Sequence, residues 1–154
     1  MNANPIPTSR VVKNEAEMAD FAAEMAAQIS PPCTVALLGD LGAGKTAFAR
    51  AFIRSMEGVD AGQEVPSPTF TLLQSYDAAK GPVHHFDLYR LEAPEEVLEL
   101  GWDEALDEGI CLIEWPDKAG RFLPATRIDI EITHVPDATQ THRRLTIQSR
   151  GEAA

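Results

Sequence analysis

A chain of 154 residues, 44% hydrophobic, with 24 acidic against 13 basic side chains and a net charge of −11, has the composition of a soluble globular protein. It is long enough for one domain with a real core and too short for two. No run approaches the roughly 20 apolar residues of a membrane span, Met1-Asn2-Ala3-Asn4-Pro5 lacks the segments of a secretion signal, and a cytoplasmic location is expected. The acidic balance and the lack of a lysine- or arginine-rich block argue against direct, strong nucleic-acid binding, so any RNA in the biology would be held by another subunit.

In chain order, Asn14-Glu15-Ala16-Glu17 reads as a capping box opening a helix, with Met18, Phe21, Ala22, Met25 and Ile29 at helical spacing. Ser30-Pro31-Pro32 stops it. Thr34-Val35-Ala36-Leu37-Leu38 is a short apolar, partly β-branched run expected to form a buried strand. Directly after it, Gly39-Asp40-Leu41-Gly42-Ala43-Gly44-Lys45-Thr46 fits the phosphate-loop pattern G-x-x-x-x-G-K-[ST]. The glycines let successive N–H groups turn inward around phosphates, Lys45 brings a charge to the β and γ phosphates, and the Thr46 hydroxyl can ligand Mg²⁺. Residues 47–56 read as a helix with Phe48, Ala51 and Phe52 on one side, which puts the loop at a helix N-terminus, where an anion is favoured.

Residues 57–62 are expected to end that helix in a loop. In Pro66-Ser67-Pro68-Thr69-Phe70-Thr71-Leu72 the prolines keep the backbone extended and leave Ser67, Thr69 and Thr71 as a hydroxyl-rich edge; both a plain strand and a phosphate-sensing switch fit that pattern. Lys80-Gly81-Pro82 is a turn, and residues 83–89 are a strand candidate ending near Asp87. Residues 95–100 read as a short helix with Pro94 before it and Gly101 after it. Ile110-Cys111-Leu112-Ile113 is a second apolar strand running into Glu114-Trp115-Pro116, and residues 126–133 and 142–148 alternate as antiparallel strands completing a sheet edge would.

A phosphate loop needs carboxylates that hold Mg²⁺ and orient water, usually at the ends of neighbouring strands, and Asp87 and Glu114 have such positions. Acids also end strands for solvation alone. His84 and His85, adjacent on a strand, point to opposite faces and cannot readily share one ion, so one packed and one exposed histidine is expected. Trp115 suits either a core anchor or a contact to nucleotide or partner. Cys33 and Cys111, with no C-x-x-C pair, are expected to be buried reduced thiols, and Arg143-Arg144 with Arg150 a solvated strand edge.

Taken together, residues 38–46, Ser67-Pro68-Thr69-Phe70-Thr71-Leu72, His85-Phe86-Asp87-Leu88-Tyr89-Arg90-Leu91 and Leu112-Ile113-Glu114-Trp115-Pro116, in this order and at this spacing, closely resemble the bacterial TsaE family, also called YjeE. The likeness spans about residues 34–124. It implies a Mg²⁺-dependent ATPase serving synthesis of threonylcarbamoyladenosine at position 37 of tRNA, joined to the TsaD–TsaB heterodimer and supporting its repeated turnover. By the same resemblance Asp40, Leu41, Gly42, Ala43, Gly44, Lys45, Thr46 and Ala47 would surround the ATP phosphates, with Thr46 on Mg²⁺. Glu114 would be a second metal-site acid that helps position water, and Asp87 would support the ion through water. Thr69 would belong to a switch, Trp115 would lie near nucleotide or partner, and Glu15 near the adenine end.

Phosphoryl transfer to water would then be catalysed by Mg²⁺, Lys45 and loop amides stabilising developing charge, with Glu114 or Asp87 orienting the water. No intrinsic arginine finger is evident, so low activity in isolation is expected. Two other readings stay open: a small-molecule kinase, with Arg90 and Arg121 as candidate acceptor-site residues, and a nucleotide-gated protein-binding module. The expected fold is a three-layer α/β phosphate-loop NTPase domain over residues 1–154, its mixed sheet parallel near the loop and antiparallel in the tail.

Overall fold

The structure, a computed structural model, describes residues 8–59, 72–136 and 141–151. Among these residues seven strands, β1 (Ser9–Val12), β2 (Cys33–Leu38), β3 (Leu73–Ala78), β4 (Gly81–Asp87), β5 (Ile110–Glu114), β6 (Arg127–His134) and β7 (Arg143–Arg150), form one sheet in the order β1-β7-β6-β2-β5-β4-β3. The central strands β6, β2, β5 and β4 are parallel, and antiparallel pairs close both sides, β6–β7–β1 on one and β4–β3 on the other. Among the described residues three α-helices accompany them: α1 (Glu15–Gln28), α2 (Lys45–Arg54) and α3 (Trp102–Glu108), with 3₁₀ segments at Pro94–Leu100 and Pro116–Phe122.

Covering both faces of the parallel centre explains why β2 and β5 are nearly continuous apolar runs, since neither side of such a strand meets water. The two-residue period then divides each strand between two cores. Val35, Leu37, Ile110 and Leu112 face α1 and α2, where Phe21, Phe48 and Phe52 stack at centroid distances of 6.2 and 6.1 Å. Cys111 and Ile113 face the opposite layer, where Phe86 meets Trp102 edge-on at 5.0 Å and α3 and both 3₁₀ segments pack. The three layers and the mixed sheet match the sequence expectation.

Helix α1 starts where the cap was expected. The Asn14 side chain accepts from the Glu17 N–H at 2.9 Å, while the Glu17 carboxylate reaches one residue further back than a standard box, to the Lys13 N–H at 2.9 Å. The last turn carries no basic residue. Its terminal carbonyls are met from outside by Lys80, whose Nζ donates to Ala26 and Ile29 at 2.7 and 2.6 Å.

Several expectations need correction. Strands β1 and β3 and helix α3 were not anticipated, and residues 94–100 form a 3₁₀ rather than an α-helical segment. The two tail strands do pair antiparallel, yet they do not make the sheet edge: β6 lies inside, parallel to β2, and β1 caps the edge beyond β7. Helix α2 begins at Lys45 and ends at Arg54, two residues earlier at each end than expected. The proline- and hydroxyl-rich segment 66–71, with Ser67, Thr69 and Thr71, lies outside the described residues. Among the described residues no helix is long and apolar enough to cross a membrane.

Candidate functional site

The phosphate loop leaves the C-terminal end of β2 and enters α2. It approaches its neighbours so closely that a Cβ on Gly39 would stand 2.6 Å from the Ile132 carbonyl oxygen, and Gly44, at φ +115, occupies a conformation that side chains avoid. The N-cap residue of α2, Gly44, has no side chain to cap the helix and the first turn holds no acid, so the N–H groups at this helix start suit an anion. A cavity of about 820 Å³ opens in front of them.

Register delivers the acids. Asp87 and Glu114 are Cα partners at the ends of β4 and β5, and Glu114 also pairs with Leu37 of β2, so both carboxylates stand beside the loop on the α2 face. Both are buried. The Thr46 hydroxyl donates to the Glu114 carboxylate, with Oγ1 at 2.8 and 3.0 Å from its two oxygens. Two residues before Asp87, and therefore on the same face, the fully buried His85 brings Nε2 to 2.7 Å from Glu114 Oε2. The Asp87 carboxylate accepts from the Tyr89 N–H at 3.1 Å, which holds the chain as it leaves β4.

Lys45 is only 4% exposed. Its Nζ donates to the Gly39 carbonyl and, at 3.0 Å, to that of Asp40, and it sits 3.9 Å from the centroid of the Trp115 ring. Burial lowers the pKa of this ammonium, and Glu114, Asp87, Asp40 and Asp117 oppose that shift. Trp115 itself has φ 57 and ψ 53, a left-handed conformation rare for an aromatic residue, and its ring lies 5.1 Å from Tyr89.

These features fit a family model. The model for "Threonylcarbamoyl adenosine biosynthesis protein TsaE" matches residues 12–145, most of the chain. The chain belongs to the TsaE family. It is 40% identical over 127 residues to the tRNA threonylcarbamoyladenosine biosynthesis protein TsaE of Rickettsia bellii, covering 82% of this chain and 87% of that one. The Bacillus subtilis protein of the same name is 38% identical over 125 residues, covering 80% and 76%. Among solved structures, Bacillus subtilis YdiB superposes with a TM-score of 0.73 at 30% identity, covering 93% of this chain and 85% of that one.

In this TsaE chain the cavity is lined by Glu15, Leu41, Gly42, Ala43, Gly44, Lys45, Thr46, Ala47, Asp87, Glu114 and Trp115. Asp40 contributes its carbonyl to Lys45 behind the lining, and Thr69 lies outside the described residues. Reasoning from sequence missed His85 as a partner of Glu114, and it missed Arg143. The expected pair of one packed and one exposed histidine is corrected: His85 is buried in the site, and His84 is half-buried with Nδ1 2.8 Å from Ser75 Oγ. Arg143 is no solvated edge residue, because it lines the cavity with its Nε–H donating to the Ala43 carbonyl at 2.9 Å. Arg150 and Arg127 both pair with Asp129 at the far end of the sheet. Both cysteines are free thiols; Cys33 is half-buried, and Cys111 is fully buried with its pKa pushed up to about 12 by burial. The sequence held a signal for His85, since the two-residue period of β4 sets it on the side of Asp87. It held none for Arg143, whose contact depends on a tail strand folding back beside the loop.

Proposed function

We propose that this chain is a Mg²⁺-dependent ATPase acting in tRNA threonylcarbamoyladenosine synthesis, position 37 of the tRNA being modified by a TsaD–TsaB complex whose repeated turnover it supports. The observation that carries the ATPase part is the Thr46–Glu114 contact at the base of a glycine loop. A hydroxyl and a carboxylate that share a hydrogen bond when alone are an oxygen donor set suited to a hard divalent ion. Bound there, Mg²⁺ supplies neutralisation of phosphate charge.

The chain's own residues divide the remaining work. Amides of the loop and the α2 N-terminus receive the phosphate oxygens, and Lys45 exchanges the carbonyls of Gly39 and Asp40 for phosphate, where its full charge is favoured again. Glu114 orients the attacking water, supported by Asp87. Thr46 and His85 engage both oxygens of Glu114 in this arrangement, which supports low activity in isolation and stimulation by the partners. The net charge of −11 supports leaving tRNA to those partners.

The test is tRNA modification over many turnovers with purified TsaD, TsaB and a threonylcarbamoyl-adenylate supply. Wild type is expected to sustain turnover and Lys45→Ala to fail; no effect of either protein would remove this reading. Glu114→Gln separates hydrolysis from gating. An ATPase role requires that variant to lose sustained turnover while still binding ATP, whereas turnover at the wild-type rate would leave only a nucleotide-gated docking role.

A further inference from the structure

We infer that Arg143, the first residue of β7, is a positioning residue for the phosphate loop, fixing the Ala43–Gly44 peptide so that the Gly44 N–H faces the phosphate site. The inference rests on the nucleotide-binding reading above and adds a tail residue to it. Arg143 Nε–H donates to the Ala43 carbonyl at 2.9 Å, and its NH1 group donates to the His142 carbonyl at 3.0 Å, two bonds that orient the guanidinium plane. The Ala43–Gly44 peptide is trans, so its C=O and N–H point in opposite directions. Holding the oxygen on Arg143 therefore turns the Gly44 hydrogen to the other side.

This peptide needs such a hold more than its neighbours do. Flipping a peptide plane changes ψ of the residue before it and φ of the residue after it, and glycine tolerates either sign of φ at little cost. Gly44 is that following residue, at φ +115. Ala43 is already tied on its amide side, where its N–H donates to the Asp40 carbonyl at 3.0 Å, so the bond from Arg143 completes the restraint. Arg143 is itself anchored from two sides, by register with Val12 of β1 and His134 of β6. The antiparallel tail thus reaches the loop through a charge-assisted hydrogen bond.

Side-chain geometry supplies the experiment. Glutamine can place an amide N–H where the arginine Nε–H stands, without the charge, and methionine matches the length with neither donor nor charge. Titration calorimetry with Mg²⁺-ATP should show Arg143→Met binding about tenfold more weakly than wild type, about 1.4 kcal/mol, and Arg143→Gln within about threefold of wild type. In ATP-bound protein the Gly44 amide proton should resonate downfield in wild type and Arg143→Gln and lose most of that shift in Arg143→Met, a readout that general loosening of the tail would not single out. Should Arg143→Met fail to fold, Arg143→Ala takes its place. Met equal to wild type, or Gln as weak as Met, would overturn the inference, the second result leaving only the charge. A wild-type protein that does not bind Mg²⁺-ATP would instead remove the nucleotide reading, and this inference with it.

Discussion

At the scale of single residues, Glu114 is held by groups from two directions, Thr46 from the first turn of α2 and His85 from β4, inside a region with almost no exposure to water. A buried carboxylate that loses one such donor either swings or recruits water, and removing a hydrogen-bond partner of a metal-site ligand typically costs about 10–100-fold in metal affinity or activity. Under the proposed function, His85→Ala is therefore expected to lower the ATPase kcat measured with TsaD and TsaB by about 10–100-fold while leaving ATP affinity within about threefold. His85→Gln, which keeps an N–H donor, should recover part of the loss. An unchanged kcat in His85→Ala would remove His85 from the site. Most of this site was legible residue by residue, because the loop pattern and the strand-end acids are local signals. His85 was readable in principle, because the two-residue period of β4 puts it on the face that bears Asp87.

At the scale of elements, sequence reading succeeded where a segment carries its own periodicity and failed where a segment exists because of its neighbour. Helix α1 and strands β2 and β5 announce themselves through apolar spacing. Strand β3, Leu-Gln-Ser-Tyr-Asp-Ala, has one buried residue and forms as the outer arm of a hairpin with β4, while β1 is four residues pinned to β7. Helix α3 was hidden by Gly101, a stop signal for the preceding segment; at φ 73 it ends that 3₁₀ turn and also serves as the N-cap of α3. That junction sets Trp102 into the second core at 1% exposure, with its indole N–H donating to the Phe122 carbonyl at 3.0 Å. Trp102→Ala should cost about 3–5 kcal/mol of stability, the range for large aromatic truncations. Urea unfolding followed by circular dichroism measures it, and a loss below about 1 kcal/mol would mean that α3 is not a structural anchor.

At the scale of the whole molecule, the site lies at the C-terminal ends of the parallel strands, where open α/β sheets place ligands, and the sheet carrying it is shared by two apolar cores on opposite faces. Strand β5 belongs to both: Ile110 and Leu112 pack toward α1 and α2, Cys111 and Ile113 toward α3. Neither layer can separate without stripping one face of β5, β2 or β4, and a strand bare on one face has lost the burial that holds its ladder with β2 or β4. Loss of either core should therefore be felt by the other. Phe52→Ala removes a fully buried ring from the α2 side, at a cost of about 3–5 kcal/mol. Trp102, within the opposite core, reports from the far face, and every protein compared carries Trp115→Phe, since Trp115 packs against that core and also against Lys45, so that the signal is Trp102's alone. Urea transitions followed by tryptophan fluorescence and by far-ultraviolet circular dichroism should coincide in the Trp115→Phe protein, and adding Phe52→Ala should move both midpoints down together with the slope unchanged. A fluorescence midpoint that stays in place while the dichroism midpoint falls would show that the cores unfold separately, and that β5 does not couple them.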